Sequence, residues 1–183
     1  LSSVYIDDRK AAQQAIETLI SLGHKKIAVV GGHRLYSDTS RKRWEGVLDA
    51  MEENGLPIDP EQDYATTYFS PEGGYQGIME LLQRGRKFTA VFTMSDLMAI
   101  GAIRALKDAG MEVPGDVSVM GFDGLPVYEF LVPRLSTVDQ PGVAMAKRSL
   151  ELLLDTVENK APARHEAVPF TILFQESTGK VKE

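Results

Sequence analysis

The sequence predicts an α/β fold built on a doubly wound parallel sheet, and three observations carry that reading. Short apolar runs alternate with stretches of helical periodicity along nearly the whole chain. The runs at 27–30 and 117–122 are almost continuous in apolar residues, as in strands covered by helices on both faces. The helical stretches between such runs have the length of right-handed crossovers joining parallel strands.

In chain order, a short strand is expected at 3–6, around Val4, Tyr5 and Ile6. A helix over 9–22 places Ala12, Ala15, Ile16, Leu19 and Ile20 on one face, and Gly23 stops it. The strand 26–31 follows. A helix over 41–54 carries Trp44, Val47, Leu48 and Met51 at i, i+3, i+4 and i+7 and ends at Asn54-Gly55. After a strand at 64–69, Ser70-Pro71-Glu72 supplies a cap, a proline at the first helical position and a first-turn acid for a helix over 71–84. The strand 89–93 leads to Ser95-Asp96, which opens a helix over 96–109 that closes at Gly110. A strand at 117–122 follows. A helix over 142–159 carries Val143, Ala146, Leu150, Leu153 and Val157, and the last strand is expected at 168–174.

Composition narrows the chemistry. Among 183 residues there is no cysteine, which excludes disulfides, zinc–thiolate sites, iron–sulfur clusters and thiol nucleophiles. Twenty Lys and Arg against 26 Asp and Glu give a net charge of −6, so the chain as a whole is not a nucleic-acid-binding surface. The stretch 44–80 holds nine acids and no Lys or Arg, and is read as a solvated face. No signal peptide is visible, and no run of apolar residues is long enough for a membrane span. A cytoplasmic protein without membrane contact is expected, and without an initiator Met the chain is expected to be a fragment of a longer protein or a mature form whose upstream part was removed. No dinucleotide fingerprint, Walker loop, nucleophile elbow or HExxH motif is present. His24, His33 and His165 sit in separate loops; His24 is expected to cap helix carbonyls, and none is placed to ligate a metal. Neither an enzyme nor a cofactor is expected.

What remains is a binding site. In doubly wound sheets, ligands lie beyond the carboxyl ends of the strands. Those ends carry Asp7, the loop 32–43 with Thr39 and Arg43, Phe69, Ser95-Asp96 and Asp123. Carboxylates accept hydrogen bonds from hydroxyls, arginine donates a planar fork, and an aromatic face packs on a sugar or base ring. Arg43 stands in the basic run Arg41-Lys42-Arg43 near a helix start, where positive charge opposes the helix dipole, so helix stability does not account for it.

Five segments, in order, resemble the effector-binding core of the lactose-repressor family of bacterial transcription regulators. They are Leu19-Ile20-Ser21-Leu22-Gly23-His24-Lys25-Lys26-Ile27-Ala28-Val29-Val30-Gly31-Gly32, Arg43-Trp44-Glu45-Gly46, Ser95-Asp96-Leu97-Met98-Ala99-Ile100-Gly101-Ala102, Asp116-Val117-Ser118-Val119-Met120-Gly121-Phe122-Asp123 and Pro133-Arg134-Leu135-Ser136-Thr137-Val138-Asp139-Gln140-Pro141. The resemblance implies two Rossmann-like subdomains of periplasmic-binding-protein type, with the effector between them. Residues 8–137 and 168–183 would form the C-terminal subdomain, and 1–7 with 138–167 part of the N-terminal one, the crossings falling near 7–8, 136–140 and 162–168. It implies effector contacts at Asp7, Arg43, Phe69 and Asp123, with Thr39 and the Ser95-Asp96 pair as further candidates. Ser95 replaces an asparagine common in the family, Gly124 an acid and Gln175 an arginine. The expected function is effector sensing and dimerisation in a DNA-binding regulator that responds to a sugar or sugar phosphate; the alternative is a transporter's extracytoplasmic sugar-binding protein. DNA would be met only through a helix-turn-helix headpiece absent from this chain. A homodimer would form through helix 96–109 and the apolar loop 125–132, and some members also dock a phosphorylated carrier protein as corepressor.

Overall fold

A computed structural model describes residues 2–158 and 162–182. The side chains of Val127 and Tyr128, expected on a dimer surface, and Asn159, expected in the last helix, lie outside the described residues. Eight strands and five α-helices follow in the order β1 Ser3–Tyr5, α1 Asp8–Ser21, β2 Ile27–Gly31, α2 Asp38–Glu53, β3 Tyr64–Thr66, α3 Pro71–Gln83, β4 Ala90–Thr93, α4 Asp96–Asp108, β5 Ser118–Asp123, β6 Ser136–Asp139, α5 Gly142–Glu158, β7 His165–Ala167 and β8 Thr171–Leu173.

Six strands form one sheet in the order β3-β2-β4-β5-β6-β8, parallel except for β8. The chain moves from β2 outward to β3, then returns across β2 to β4. With right-handed crossovers, that reversal puts α2 on one face and α3 and α4 on the other. The helices pack as two pairs, α1 with α2 and α3 with α4. Val29, Val30, Val91, Phe92, Val119, Met120 and Phe122 are fully buried between the two layers. The pairs cross closely because glycines stand at the crossings. A Cβ at Gly101 would collide with the Pro71 carbonyl, and one at Gly74 with the Met98 carbonyl.

A second, two-stranded sheet pairs β1 with β7, and α5 packs on β1. The apolar positions Val143, Leu150, Leu153 and Val157 of α5 are exposed among the described residues. The larger sheet takes its strands from 27–139 and 171–173, and the smaller one from 3–5 and 165–167. β6 runs to Asp139 inside the larger sheet, where Val138 pairs with Phe122 and Ile172, so 138 and 139 belong there rather than with 140–167.

Several boundaries differ from expectation for identifiable reasons. α2 begins at Asp38 because Ser37 caps it, its hydroxyl accepting from Ser40 N at 3.1 Å. Arg41 and Lys42 then pair with Asp38, and Arg41 also with Glu45, so charge pairs offset the unfavourable dipole for these two. The third strand stops at Thr66, and the chain turns into the Ser70 cap of α3. The last strand shrinks to Thr171–Leu173, and β7, a polar and exposed edge segment, gives no apolar signal. β6 is missing from the expected strands because Ser136 and Thr137 interrupt its apolar pattern. Both are nevertheless buried, and their hydroxyls are satisfied: Ser136 Oγ lies 2.7 Å from Thr178 Oγ1, and Thr137 Oγ1 donates to Asp96. The loop after β5 forms a short 3-10 turn, Pro126–Phe130.

His24 corrects another expectation. Its ring does not cap helix carbonyls; Gly23, at φ +95°, and the backbone bonds from Gly23 N and His24 N close that end. The ring instead bridges Thr89 Oγ1 at 2.9 Å and the Gly179 carbonyl at 3.0 Å, tying the C-terminal segment to the entrance of β4. Burial pushes the His24 pKa below the ordinary histidine value, against the carbonyl bond. The native state therefore binds fewer protons than the unfolded chain as pH falls below about 6.5, and stability is lost in that direction. Chemical denaturation at pH 7.5 and 5.5 should show wild type losing more stability on acidification than His24→Gln; equal losses would contradict this role.

Candidate functional site

The reversal of strand order falls between β2 and β4, and in such sheets the crevice at the carboxyl end of that point receives ligands. All four helix N-termini of the larger sheet lie at this end, capped by Asp7, Ser37, Ser70 and Ser95. Each cap side chain accepts from a first-turn amide, which satisfies otherwise orphaned donors.

Arg43 occupies the centre. It is 5% exposed, on the first turns of α2. Its Nε donates to Asp8 Oδ1 at 2.8 Å and its Nη1 to the Met94 carbonyl at 2.5 Å, beyond the end of β4. Nη1 also lies 3.7 Å from Asp123 Oδ1, and the guanidinium carbon sits 3.5 Å from the centroid of the Phe122 ring. Nη2 takes no hydrogen bond among the described residues. Since no buried side-chain nitrogen or oxygen lacks a partner there, Nη2 is not sealed from solvent, and its donors are unused by the protein. Thr39, half-buried one turn earlier, shares the helix face with Arg43.

The sequence also explains how Asp8 reaches Arg43. One turn after Arg43 on α2 stands Gly46, and a Cβ there would collide with the carbonyl of Arg9. The glycine lets the first turn of α1 lie against α2, which delivers the neighbouring Asp8 to the guanidinium. Asp7, the residue expected to contact the ligand, caps α1 through Lys10 N at 3.0 Å and remains exposed at the rim.

Asp123 faces Arg43 from the end of β5. Its φ of +121° is a conformation that residues other than glycine rarely adopt. Gln140 Nε2 donates to its Oδ1 at 2.8 Å. Burial raises its pKa, opposed by Arg43 and Gln140, and the nearby Asp8 raises it further. On the other side of the crevice, the half-exposed Phe69 ring packs over Gly32 and, with His33, Ser37 and Tyr68, lines a depression of about 330 Å³.

Two expected contacts turn inward. Ser95 is buried as the cap of α4, accepting from Met98 N at 3.2 Å. Asp96 is fully buried; its Oδ1 accepts from Thr137 Oγ1 at 2.6 Å and its Oδ2 from Leu125 N at 2.7 Å. Burial raises its pKa to about 6, against these bonds and the Gly124 amide. Neither side chain is presented to the crevice, because interior partners already hold both. Asp8 and the Met94 carbonyl are not among the contacts expected from sequence, and a backbone carbonyl has no sequence signature. Gln140 was visible only inside a resembling segment. Among the described residues no group of His, Asp or Glu could hold a metal ion, and no helix is long and apolar enough to cross a membrane.

Comparison with known proteins adds to this geometry. Residues 1–178 match the family described as periplasmic binding protein-like domain. The chain belongs to that family. Its relatives are regulators of the lactose-repressor kind. It is 40% identical over 159 residues to the HTH-type transcriptional regulator GalR of Escherichia coli (strain K12), covering 86% of this chain and 45% of GalR. It is 35% identical over 145 residues to the ribose operon repressor of Haemophilus influenzae, covering 79% of this chain and 43% of the repressor. The structure superposes on a LacI family transcriptional regulator from Enterococcus faecium with bound ribose at a TM-score of 0.91 and 32% identity, over 99% of this chain and 66% of that one. The chain thus spans less than half the length of these curated relatives, which are regulators and not enzymes.

Removing the Arg43 guanidinium would leave Asp8 and Asp123 facing each other without a cation. Arg43→Ala should lower unfolding free energy by about 3–5 kcal/mol, as expected for breaking a buried pair. Asp8→Asn in the same background should recover part of that loss. A denaturant-measured cycle in which the two changes simply add would contradict the pairing.

Proposed function

We propose that this chain is the sensing and dimerising part of a bacterial DNA-binding transcription regulator, and that its crevice binds a neutral sugar. The observation that carries the reading is the setting of Arg43. Its Nη1 lies beside Asp123 and its Nη2 has no protein partner among the described residues, while Asp7, Asp8 and Asp139 lie at the same end of the sheet. Two carboxylates, Asp8 and Asp123, flank this arginine, and two of its nitrogens are already engaged. Such a field receives hydroxyl donors well and repels a phosphate. Asp123 would accept from ligand hydroxyls, Arg43 Nη2 would donate to ring or hydroxyl oxygens, and Phe69 would pack on the apolar face of the ring. The relatives named for ribose, by title or by operon, fit a ligand of this class.

In this reading, 8–139 with 168–183 form one subdomain, and 1–7 with 140–167 belong to a second that closes over the ligand. Closure stabilised by the ligand would shift the balance between open and closed forms. DNA would be met through a headpiece outside this chain, in the cytoplasm. Two copies would associate through α4 and the segment 125–133. Leu97, Phe130 and Val132 are exposed there, and Val132 borders a groove of about 370 Å³ lined in part by Ile103, Met111 and Val113.

Calorimetric titration with D-ribose, D-galactose, cellobiose, their phosphate esters and hypoxanthine tests the reading. A neutral sugar should bind, and Asp123→Asn should weaken it about tenfold or more, the value of a charge-assisted hydrogen bond. Binding of a phosphate ester or the purine in preference to every neutral sugar would overturn it.

A further inference from the structure

Asp96 has more to do than begin a helix. An acid at this position needs only solvent and the dipole to be favourable. Here the carboxylate is fully buried, and its partners come from other parts of the fold. Thr137 Oγ1 donates from β6, Leu125 N donates from the loop that leaves β5, and the Gly124 amide also favours the ionised form. In return, the Asp96 backbone amide favours the ionised Asp123 side chain. The sequence reserves space for this arrangement: a Cβ at Gly121 would collide with the Asp96 carboxylate and with Leu135.

The tethered loop joins two surfaces. At its near end Asp123, held at φ +121°, aims its carboxylate toward Arg43 and Gln140. Gly124 follows at φ +73°, and beyond Leu125 the chain runs through the turn Pro126–Phe130, where Phe130 and Val132 are 83% and 93% exposed. A residue other than glycine at positive φ is strained and persists only where the surroundings hold it. Asp96 supplies that hold from inside.

We propose that Asp96 is a positioning residue that fixes the crevice carboxylate Asp123 and the segment 125–133 as one unit, so that filling the crevice and the contacts made by that segment are coupled. The inference rests on the reading of Asp123 as a sugar contact. Coupling of this kind is reciprocal: a ligand that engages Asp123 steadies the segment, and whatever covers the segment steadies Asp123.

Hydrogen exchange measured by mass spectrometry on wild type, Asp96→Ala and Asp96→Asn tests it. Asparagine keeps the shape; its oxygen accepts from Leu125 N while its amide donates to Thr137 Oγ1. In Asp96→Ala, exchange over 124–130 should speed up about tenfold or more relative to β2, and Asp96→Asn should return it to within about threefold of wild type. Exchange over 124–130 that rises only in step with β2, or that asparagine does not restore, overturns the proposal. If Asp96→Ala does not fold, Thr137→Val, which removes one donor without changing shape, should raise exchange over 124–130 selectively; no selective change would overturn the proposal equally. Saturating D-ribose, where it binds wild type, should slow exchange over 124–130 there but not in Asp96→Ala; slowing in both overturns the coupling. A wild type that binds none of the sugars in the calorimetric panel contradicts the sugar reading instead, and the ligand-free exchange arm still decides the role of Asp96.

Discussion

The buried guanidinium of Arg43 is the interaction on which the crevice depends. A cation 5% exposed requires partners on several sides, and the fold delivers them from separate elements: Asp8 at the start of α1, the Met94 carbonyl beyond β4, and the Phe122 ring and Asp123 carboxylate at the end of β5. Each partner comes from a strand end or helix start at one edge of the sheet. The ion cluster is therefore satisfied only when α1, α2, β4 and β5 are all in register. A desolvated cation of this kind is weak evidence for added stability but good evidence for geometric demand.

The same edge shows how small residues make room for polar ones. Gly46 lets α1 approach α2 so that Asp8 meets Arg43, and Gly121 leaves the space that the Asp96 carboxylate fills. Both glycines stand beside the charged residues they serve. In the resembling segments, Arg43-Trp44-Glu45-Gly46 carries the cation with the glycine that admits its partner. Gly121-Phe122-Asp123 carries the space for one carboxylate, the ring beneath the guanidinium and the second carboxylate. Two aspartates then take different roles: Asp123 faces the crevice, and Asp96 holds the backbone behind it.

The fold was legible where burial follows apolar pattern. Residues 27–30 and 117–122 read as covered strands, and Trp44, Val47 and Met51 as the inner face of α2, because their environment is set by hydrophobicity alone. It was illegible where polar residues are buried in pairs. Ser136 and Thr137 look like a loop until Thr178 and Asp96 are placed beside them from distant parts of the chain. The site divides in the same way. Arg43 could be singled out because its charge misfits a helix start. Ser95 and Asp96 were read as possible contacts because sequence shows a strand end but not which way a side chain turns. Asp8 and the Met94 carbonyl gain their roles only from the approach of α1 and β4 to α2.

The most direct test of the account follows the resonances of individual side chains, the Arg43 Nε and the Asp123 carboxyl carbon, during titration with the sugar that binds. Both should move along one saturation curve, while Arg86, paired with Asp63 at the opposite edge of the sheet, stays still. Saturable binding that leaves Arg43 and Asp123 unmoved, or that shifts Arg86 instead, would contradict the placement of the ligand at the Arg43 crevice.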